Sequence, residues 1–228
     1  DQFDQDVLGY LTGFKQAAIS GNANVVNNIV NGTVAVATAG TDELLSTMKL
    51  TAADFNAGNA ANCVGLKARA SEAVPTTAGQ ANPLTVIARM ARKLDQQNVD
   101  SQGRWLVVDP VFVELLKDED SRLFDADFGG SGLQNGLILN NLHGFKVHVS
   151  NNLPSLGTGP STTGGTNANN FGMIVAGHSS SVSTADQINK TETYRDPDSF
   201  ADIVRGMHLY GRKILRPEAL INAKYCLL

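Results

Sequence analysis

Apolar side chains recur at three- and four-residue steps between residues 83 and 97, where Leu84, Ile87, Ala91 and Leu94 form a stripe that Val86 and Met90 widen. That spacing predicts an amphipathic helix with one buried face, and Arg89, Arg92 and Lys93 make the other face basic. Asn82 offers a side-chain acceptor to the first turn, and Pro83 suits the first helical position, where a missing N–H costs nothing. The polar run after Leu94 leads to Gly103, read as the stop of the helical segment. Trp105 to Val108 is then a short apolar run suited to a buried strand. Asp109 and Pro110 repeat the cap-plus-proline signal, so a second helix carrying Phe112, Leu115 and Leu116 is expected at once.

Elsewhere the pattern is looser. Phe3, Val7, Leu8, Leu11 and Phe14 predict an amphipathic helix over residues 1–19, stopped by Ser20-Gly21-Asn22. Residues 22–81 are rich in Ala, Asn, Gly and Thr; short helices and exposed loop are expected, with an apolar patch at 25–30 and a helical candidate at 44–55. Residues 133–142 mix apolar side chains with turn-forming Asn and Gly. After Gly144, Phe145, Val147 and Val149 alternate with Lys146 and His148, the signature of a half-buried strand. Residues 154–170 hold so much Gly, Ser, Thr and Asn that a mobile loop is expected. Residues 173–176 read as a short buried strand, and residues 188–195 and 203–215 as extended segments with charged alternation. The chain opens on Asp1 inside a helical pattern, which reads as a piece of something longer or a processed product.

Composition narrows the function classes. With 228 residues and 42% hydrophobic content, the chain can bury a sizeable core as one large domain or two small ones. Charged residues make up 18% and the net charge is −4, which gives no general reason to bind nucleic acid or an anionic membrane. No apolar stretch approaches the roughly 20 residues that span a bilayer. Cys63 and Cys226 make no disulfide framework and lie at no metal-ligand spacing to histidines.

Charge is uneven along the chain. Residues 109–127 contain seven acids and two bases, whereas residues 205–224 contain five bases and one acid. Opposite patches on one chain suit head-to-tail contacts between copies, which close into rings when the rotation per subunit allows. Asp118, Glu119 and Asp120 are the acidic candidates, Arg205, Arg212, Lys213 and Arg216 the basic ones, and Arg122 a local partner for the acids. Solvated faces are the plain alternative, because an exposed ion pair contributes only about 0–1 kcal/mol.

Enzyme chemistry finds little to use. Asp125-Ala-Asp127-Phe-Gly129 begins like a calcium loop, yet its ligand alternation stops and Gly136 stands where the loop requires Glu. Gly129 to Gly132 lacks the Lys-Ser/Thr of a phosphate loop. His178 stands beside Ser179, Ser180 and Ser181 without the strained G-x-S-x-G elbow of a nucleophile. His143, His148 and His208 are dispersed. No catalytic residue, cofactor or metal is expected.

Read in order, the residues resemble a family. The long helix, then RWLVVDPVFVELLKD, HGFKVHVSNNLP, a Gly/Thr loop, FGMIVAG and the tail FADIVRGMHLYGRKILRPEAL are similar to the major capsid protein of tailed bacteriophages. The resemblance covers roughly residues 82–228 and, more faintly, the opening helix. It implies an α+β, Hong Kong 97-like capsid fold. Residues 1–103 and 179–228 would form a peripheral domain around a spine helix, assigned to 83–97, with extended strands. Residues 104–178 would form an axial domain, a small sheet flanked by helices. The N-terminal arm and extended loop of such proteins have no counterpart here, and the lysine–asparagine cross-link that some of them form is not carried over. The implied function is structural: self-assembly through pentamers and hexamers into an icosahedral shell enclosing phage DNA, built in the host cytoplasm and residing in the virion. The implied partners are further copies of the chain and scaffolding, portal and decoration proteins, with at most weak non-specific contact with DNA and no membrane. The alternative is a soluble binding module or surface adhesin, suggested by the Gly/Ser/Thr/Asn-rich loops.

Overall fold

A computed structural model describes residues 2–12, 44–50, 54–55, 64–66, 80–117, 133–134, 137–138, 142–154, 172–195 and 202–227. The expected helix–strand–helix core is present. Helix α1 covers Gln2–Leu11, α2 Pro83–Gln96 and α3 Pro110–Leu116. In α2 the buried stripe is Pro83, Val86, Ile87, Met90 and Leu94, with Leu84 and Ala91 at its margins. Asp109 caps α3 as expected, its Oδ1 accepting the Phe112 N–H at 3.1 Å. Asn82 has the extended backbone of a cap, but its side chain makes no cap hydrogen bond, so Pro83 and backbone geometry start α2 without it.

Gly103 does not end α2. The helix stops at Gln96, and Asn98 turns the chain with φ 54°. Gly103, at φ 77°, forms the tight entry to strand β4 (Arg104–Val108), a conformation that an L side chain would strain. The connector is closed from inside by buried Arg104, whose Nη2 reaches Asp95 Oδ1 at 2.7 Å and the Val99 carbonyl at 2.5 Å. Its Nε donates to the Asp100 carbonyl at 2.8 Å.

One seven-stranded mixed sheet organises the molecule. Its path runs β3 (Gln80–Ala81), β2 (Val64–Leu66), β11 (Leu220–Leu227), β8 (Gly172–His178), β4 and β7 (Lys146–Val149). Strand β1 (Lys49–Leu50) joins beside β2, pairing parallel with Asn222 and Ala223 of β11. Strand β11 thus has β8 on one edge and β1 and β2 on the other, which places the last segment of the chain at the sheet's centre. Strands from 1–103, 104–178 and 179–228 all lie side by side in this one sheet.

Both faces of the central strands are buried, which explains their near-continuous apolar sequences. Leu106, Val108, Ile174, Ala176, Ile221, Ala223 and Tyr225 point to one side and pack with α2 and α3. Trp105, Val107, Val175 and Leu220 point to the other and pack with Leu11, Leu8 and Val7 of α1.

Several expectations change. Among the described residues of the helical candidate at 44–55, Ser46–Met48 form a 3-10 turn that leads straight into β1. Within 22–81 the described residues include strands β1 to β3, whose Leu50, Val64 and Leu66 are fully buried; they belong to the core. The strand after Gly144 is an edge strand: Phe145 is buried, but Val149 is 56% exposed. Residues 133–134 and 137–138 form the small hairpin β5 (Leu133–Gln134) and β6 (Leu137–Ile138). The two extended C-terminal segments pair antiparallel as one long hairpin, β9 (Val182–Arg195) and β10 (Asp202–Ile214). The stop of the first helix, the apolar patch at 25–30 and the loop expected at 154–170, apart from Pro154, lie outside the described residues.

Candidate functional site

The hairpin carries most of the basic candidates. Along β10 side chains alternate between faces. Tyr210, Arg212 and Ile214 turn toward α1, and Leu209, Lys213 and Leu215 turn away; Leu209 and Leu215 are 59% and 60% exposed. On the α1 side a polar cluster forms. The Arg212 guanidinium pairs with the Asp6 carboxylate and stacks over the Tyr10 ring at 4.9 Å. Tyr210 donates its O–H to Asp6 at 3.0 Å, and Phe3 meets the Tyr210 ring edge-on at 4.8 Å. The Ile214 N–H donates to the Tyr10 hydroxyl at 3.4 Å. Partial burial pulls the Arg212 guanidinium below its ordinary pKa, as expected for a cation taken partly out of water.

The other basic candidates face outward. Arg205 bridges to Glu192 at 2.8 Å across the strand pair and lies over the Tyr194 ring at 5.2 Å. Lys213 is exposed. Arg216 reaches Glu218 at 3.0 Å; that carboxyl is held below its ordinary pKa first by a backbone hydrogen bond and then by Arg216. Asp118, Glu119, Asp120 and Arg122 lie outside the described residues, as do the calcium-like and glycine-rich segments. Two of the three cations of α2 are occupied: Lys93 donates to the Thr47 carbonyl at 2.8 Å and pairs with Asp54 at 2.7 Å, and Arg89 lies over the Phe55 ring at 5.2 Å.

The serine cluster is a turn. His178 Nδ1 accepts the Ser180 N–H at 3.2 Å and sits 2.8 Å from Ser180 Oγ. Ser181 Oγ donates to the His178 carbonyl at 2.6 Å. These bonds shape the β8–β9 corner. Among the described residues no group of three His, Cys, Asp or Glu side chains could hold a metal ion. No described helix is long and apolar enough to cross a membrane.

Sequence reasoning missed one polar pair, of buried Tyr225 with half-buried Asp109. Tyr225, in the C-terminal half of β11, donates its hydroxyl to Asp109 Oδ2 at 2.5 Å, while Asp109 Oδ1 caps α3. Burial pushes the Asp109 carboxyl above its ordinary pKa, against the lowering effect of both hydrogen bonds. The Tyr225 hydroxyl is also pushed up, by burial and then by the neighbouring carboxylate. The pair is a structural tie between α3 and the last strand.

A family model described as phage capsid protein matches residues 2–223, and the chain belongs to that family. A solved structure from Mycobacterium phage Che8 is 23% identical, with a TM-score of 0.54, over 99% of this chain and 57% of that one. The capsid structure of cyanophage P-SCSP1u matches at 21% identity and a TM-score of 0.49 over 78% of this chain and 58% of that one. The mature capsid of bacteriophage PhiM1 matches at 18% identity and a TM-score of 0.49, covering 63% and 46% of the two chains. The chain therefore spans somewhat over half the length of the first two of these structures, 57% and 58%. No curated protein matches. The fold is an α+β phage capsid fold, as the resemblance implied.

Proposed function

We propose that this chain is the shell-forming part of a tailed-phage major capsid protein, which self-associates through pentamers and hexamers into an icosahedral shell around phage DNA. Family membership across residues 2–223 is the observation that carries this reading. The work of such a protein is geometric. Interfaces bury apolar surface and match charge, and no bond is made or broken. Assembly would take place in the host cytoplasm, with scaffolding, portal and decoration proteins as further partners. Contact with packaged DNA would be weak, since the chain carries a net charge of −4.

Packing suggests where the lobes divide. The sheet with α2 and α3 shares one core, whereas α1 lies between the sheet's opposite face and the long hairpin. We assign the first group to the axial lobe and α1 with β9 and β10 to the peripheral lobe, so α2 belongs with the sheet. The outward residues Arg205, Lys213 and Arg216 are the inter-subunit candidates on this lobe, with Asp118, Glu119, Asp120 and Arg122 as their counterparts on a neighbour. Arg212 acts first within its own chain.

The test is to express the complete reading frame with its genomic neighbours and image the product by negative-stain electron microscopy. Closed particles or rings of five and six are expected. A monodisperse monomer or dimer across a range of salt and protein concentrations would overturn the assembly reading.

A further inference from the structure

A glycine inside a strand weakens it, because it brings no side chain to pack and loses more backbone freedom on folding than any other residue. Gly211 stands inside β10, paired with Ala185 of β9. Two other strand glycines have their reason within the chain: a Cβ at Gly172 would stand 2.7 Å from the Tyr225 ring, and one at Gly177 would stand 2.9 Å from the Trp105 ring. Gly211 has no such reason. Its φ lies outside the left-handed region, and a Cβ built there meets no atom within 4 Å. The fold leaves room for a side chain that the sequence does not supply.

Alternation along β10 puts Gly211 on the face turned away from α1, with Leu209 and Lys213 on either side of it and Leu215 just past the strand's end. Across the strand pair, Ala185 stands opposite Gly211 and Ser183 opposite Lys213. All of these residues are exposed, and Leu209 and Leu215 are 59% and 60% exposed. The face therefore has the shape of a shallow saddle. Gly211 and Ala185 leave the ribbon's backbone bare between Leu209 and Lys213, so another chain can come closer here than a larger side chain would permit. Apolar side chains bordered by polar ones are the anatomy of a protein–protein contact.

We propose that this saddle is where a second copy of the chain packs directly on the backbone of the hairpin, and that residue 211 is glycine to keep the saddle open. Two observations make the occupant a copy of the chain. The chain belongs to a family of phage capsid proteins. The cation at the saddle's edge, Lys213, also meets its complement in the same sequence, where residues 109–127 hold seven acids and two bases. The proposal rests on the shell reading and adds to it the place and the shape of one contact.

The test fills the saddle and leaves the subunit alone. Gly211→Val is expected to keep or raise the unfolding midpoint of the unassembled full-length subunit, since valine suits a strand and finds open space. The concentration at which subunits begin to assemble, followed by light scattering, is expected to rise at least about tenfold, with Gly211→Ala between this variant and the parent. Val204→Phe adds bulk where Val204, 66% exposed, shares the other face with Tyr210 and Arg212, and is expected to assemble like the parent. Ser183→Cys is a small exchange beside the saddle; its thiol is expected to react with a maleimide in free subunits and to be shielded in assembled ones. A lowered midpoint in Gly211→Val would overturn the proposal, because Gly211 would then serve its own fold. Assembly of Gly211→Val at the parent's concentration, an equal defect in Val204→Phe, or a Ser183→Cys thiol as reactive in particles as in subunits would overturn it too, and each would leave the shell reading intact. A parent chain that stays monomeric would remove the shell reading and this contact with it.

Discussion

Asp109 is asked to do two things at once, and its environment opposes the charge that makes it good at both. Its carboxyl caps α3 through Oδ1 and takes the Tyr225 hydroxyl on Oδ2, yet burial raises its pKa above the ordinary 3.8. The folded state thus holds a proton more tightly than the unfolded chain does. Stability from that proton is fully present below pH 3.8 and is lost as pH rises through the higher folded value. Asp109→Asn keeps an acceptor for the Phe112 N–H and cannot ionise. The denaturation midpoint of the parent is therefore expected to fall relative to Asp109→Asn between pH 3.8 and neutrality. A pH-independent difference would refute the assignment. Tyr225→Phe leaves Oδ2 without its donor in a buried site, so a loss of about 1–3 kcal/mol is expected in urea titration. Because the Tyr225 hydrogen bond lowers the Asp109 pKa, the same variant is expected to move the pH-dependent window upward. Gly172 shows how tight the site is: a Cβ there would stand 2.7 Å from the Tyr225 ring. Gly172→Ala must displace that ring and is expected to cost about 1–3 kcal/mol by overpacking.

At the scale of elements, α2 is the helix on which much of the sheet's core is packed. Ile87 lies at the middle of its stripe and is completely buried with Val86, Met90 and Leu94. Ile87→Asp loses the packing of a core side chain and desolvates a carboxylate, together more than about 4 kcal/mol. That is a large part of the roughly 5–15 kcal/mol that holds a domain folded. Insoluble or unfolded chain is expected, and soluble protein with native circular dichroism would remove the central role given to this helix. The helix, β4 and α3 were legible in the sequence because their signals are local: a 3.6-residue period, a four-residue apolar run, and Asp109-Pro110 at a helix start. Strands β1 to β3 were not, because two or three residues carry no period; β1 and β2 are placed by pairing with β11 at the far end of the chain, and β3 by pairing with β2. Strand β11 was itself disguised by Asn222 and Lys224. The Asn222 side chain looks outward in a pattern, but in the fold it is spent on the Thr12 carbonyl. The basic candidates were legible as charges, but not as partners: nothing near Arg212 in the sequence points to Asp6.

For the whole molecule, that distinction decides how charge complementarity between subunits can be tested. Reversing Arg212 and Lys213 together would confuse two effects, because the two side chains leave β10 on opposite faces. Arg212→Glu would place a carboxylate beside Asp6 and under Tyr10, and is expected to lower subunit stability by about 1–3 kcal/mol, the cost of an unpaired, partly buried charge. An assembly defect in that variant would therefore not separate interface charge from subunit stability. Lys213→Glu changes an exposed position, where a surface contact contributes about 0–1 kcal/mol, so the isolated subunit is expected to stay folded with an unfolding midpoint within about 1 kcal/mol of the parent. If Lys213 meets acidic residues of a neighbour, the substitution turns attraction into repulsion at an interface repeated in every copy, and a change too small to matter in one pair is multiplied around each ring. Assembly yield, followed by light scattering, is then expected to fall at low ionic strength. It should recover partly as salt is raised toward 0.15 M, where screening acts over about 8 Å. Lys213→Glu protein that assembles like the parent at low salt would sink the proposal that opposite charges on this face bring subunits together, and would leave apolar burial and shape to carry assembly.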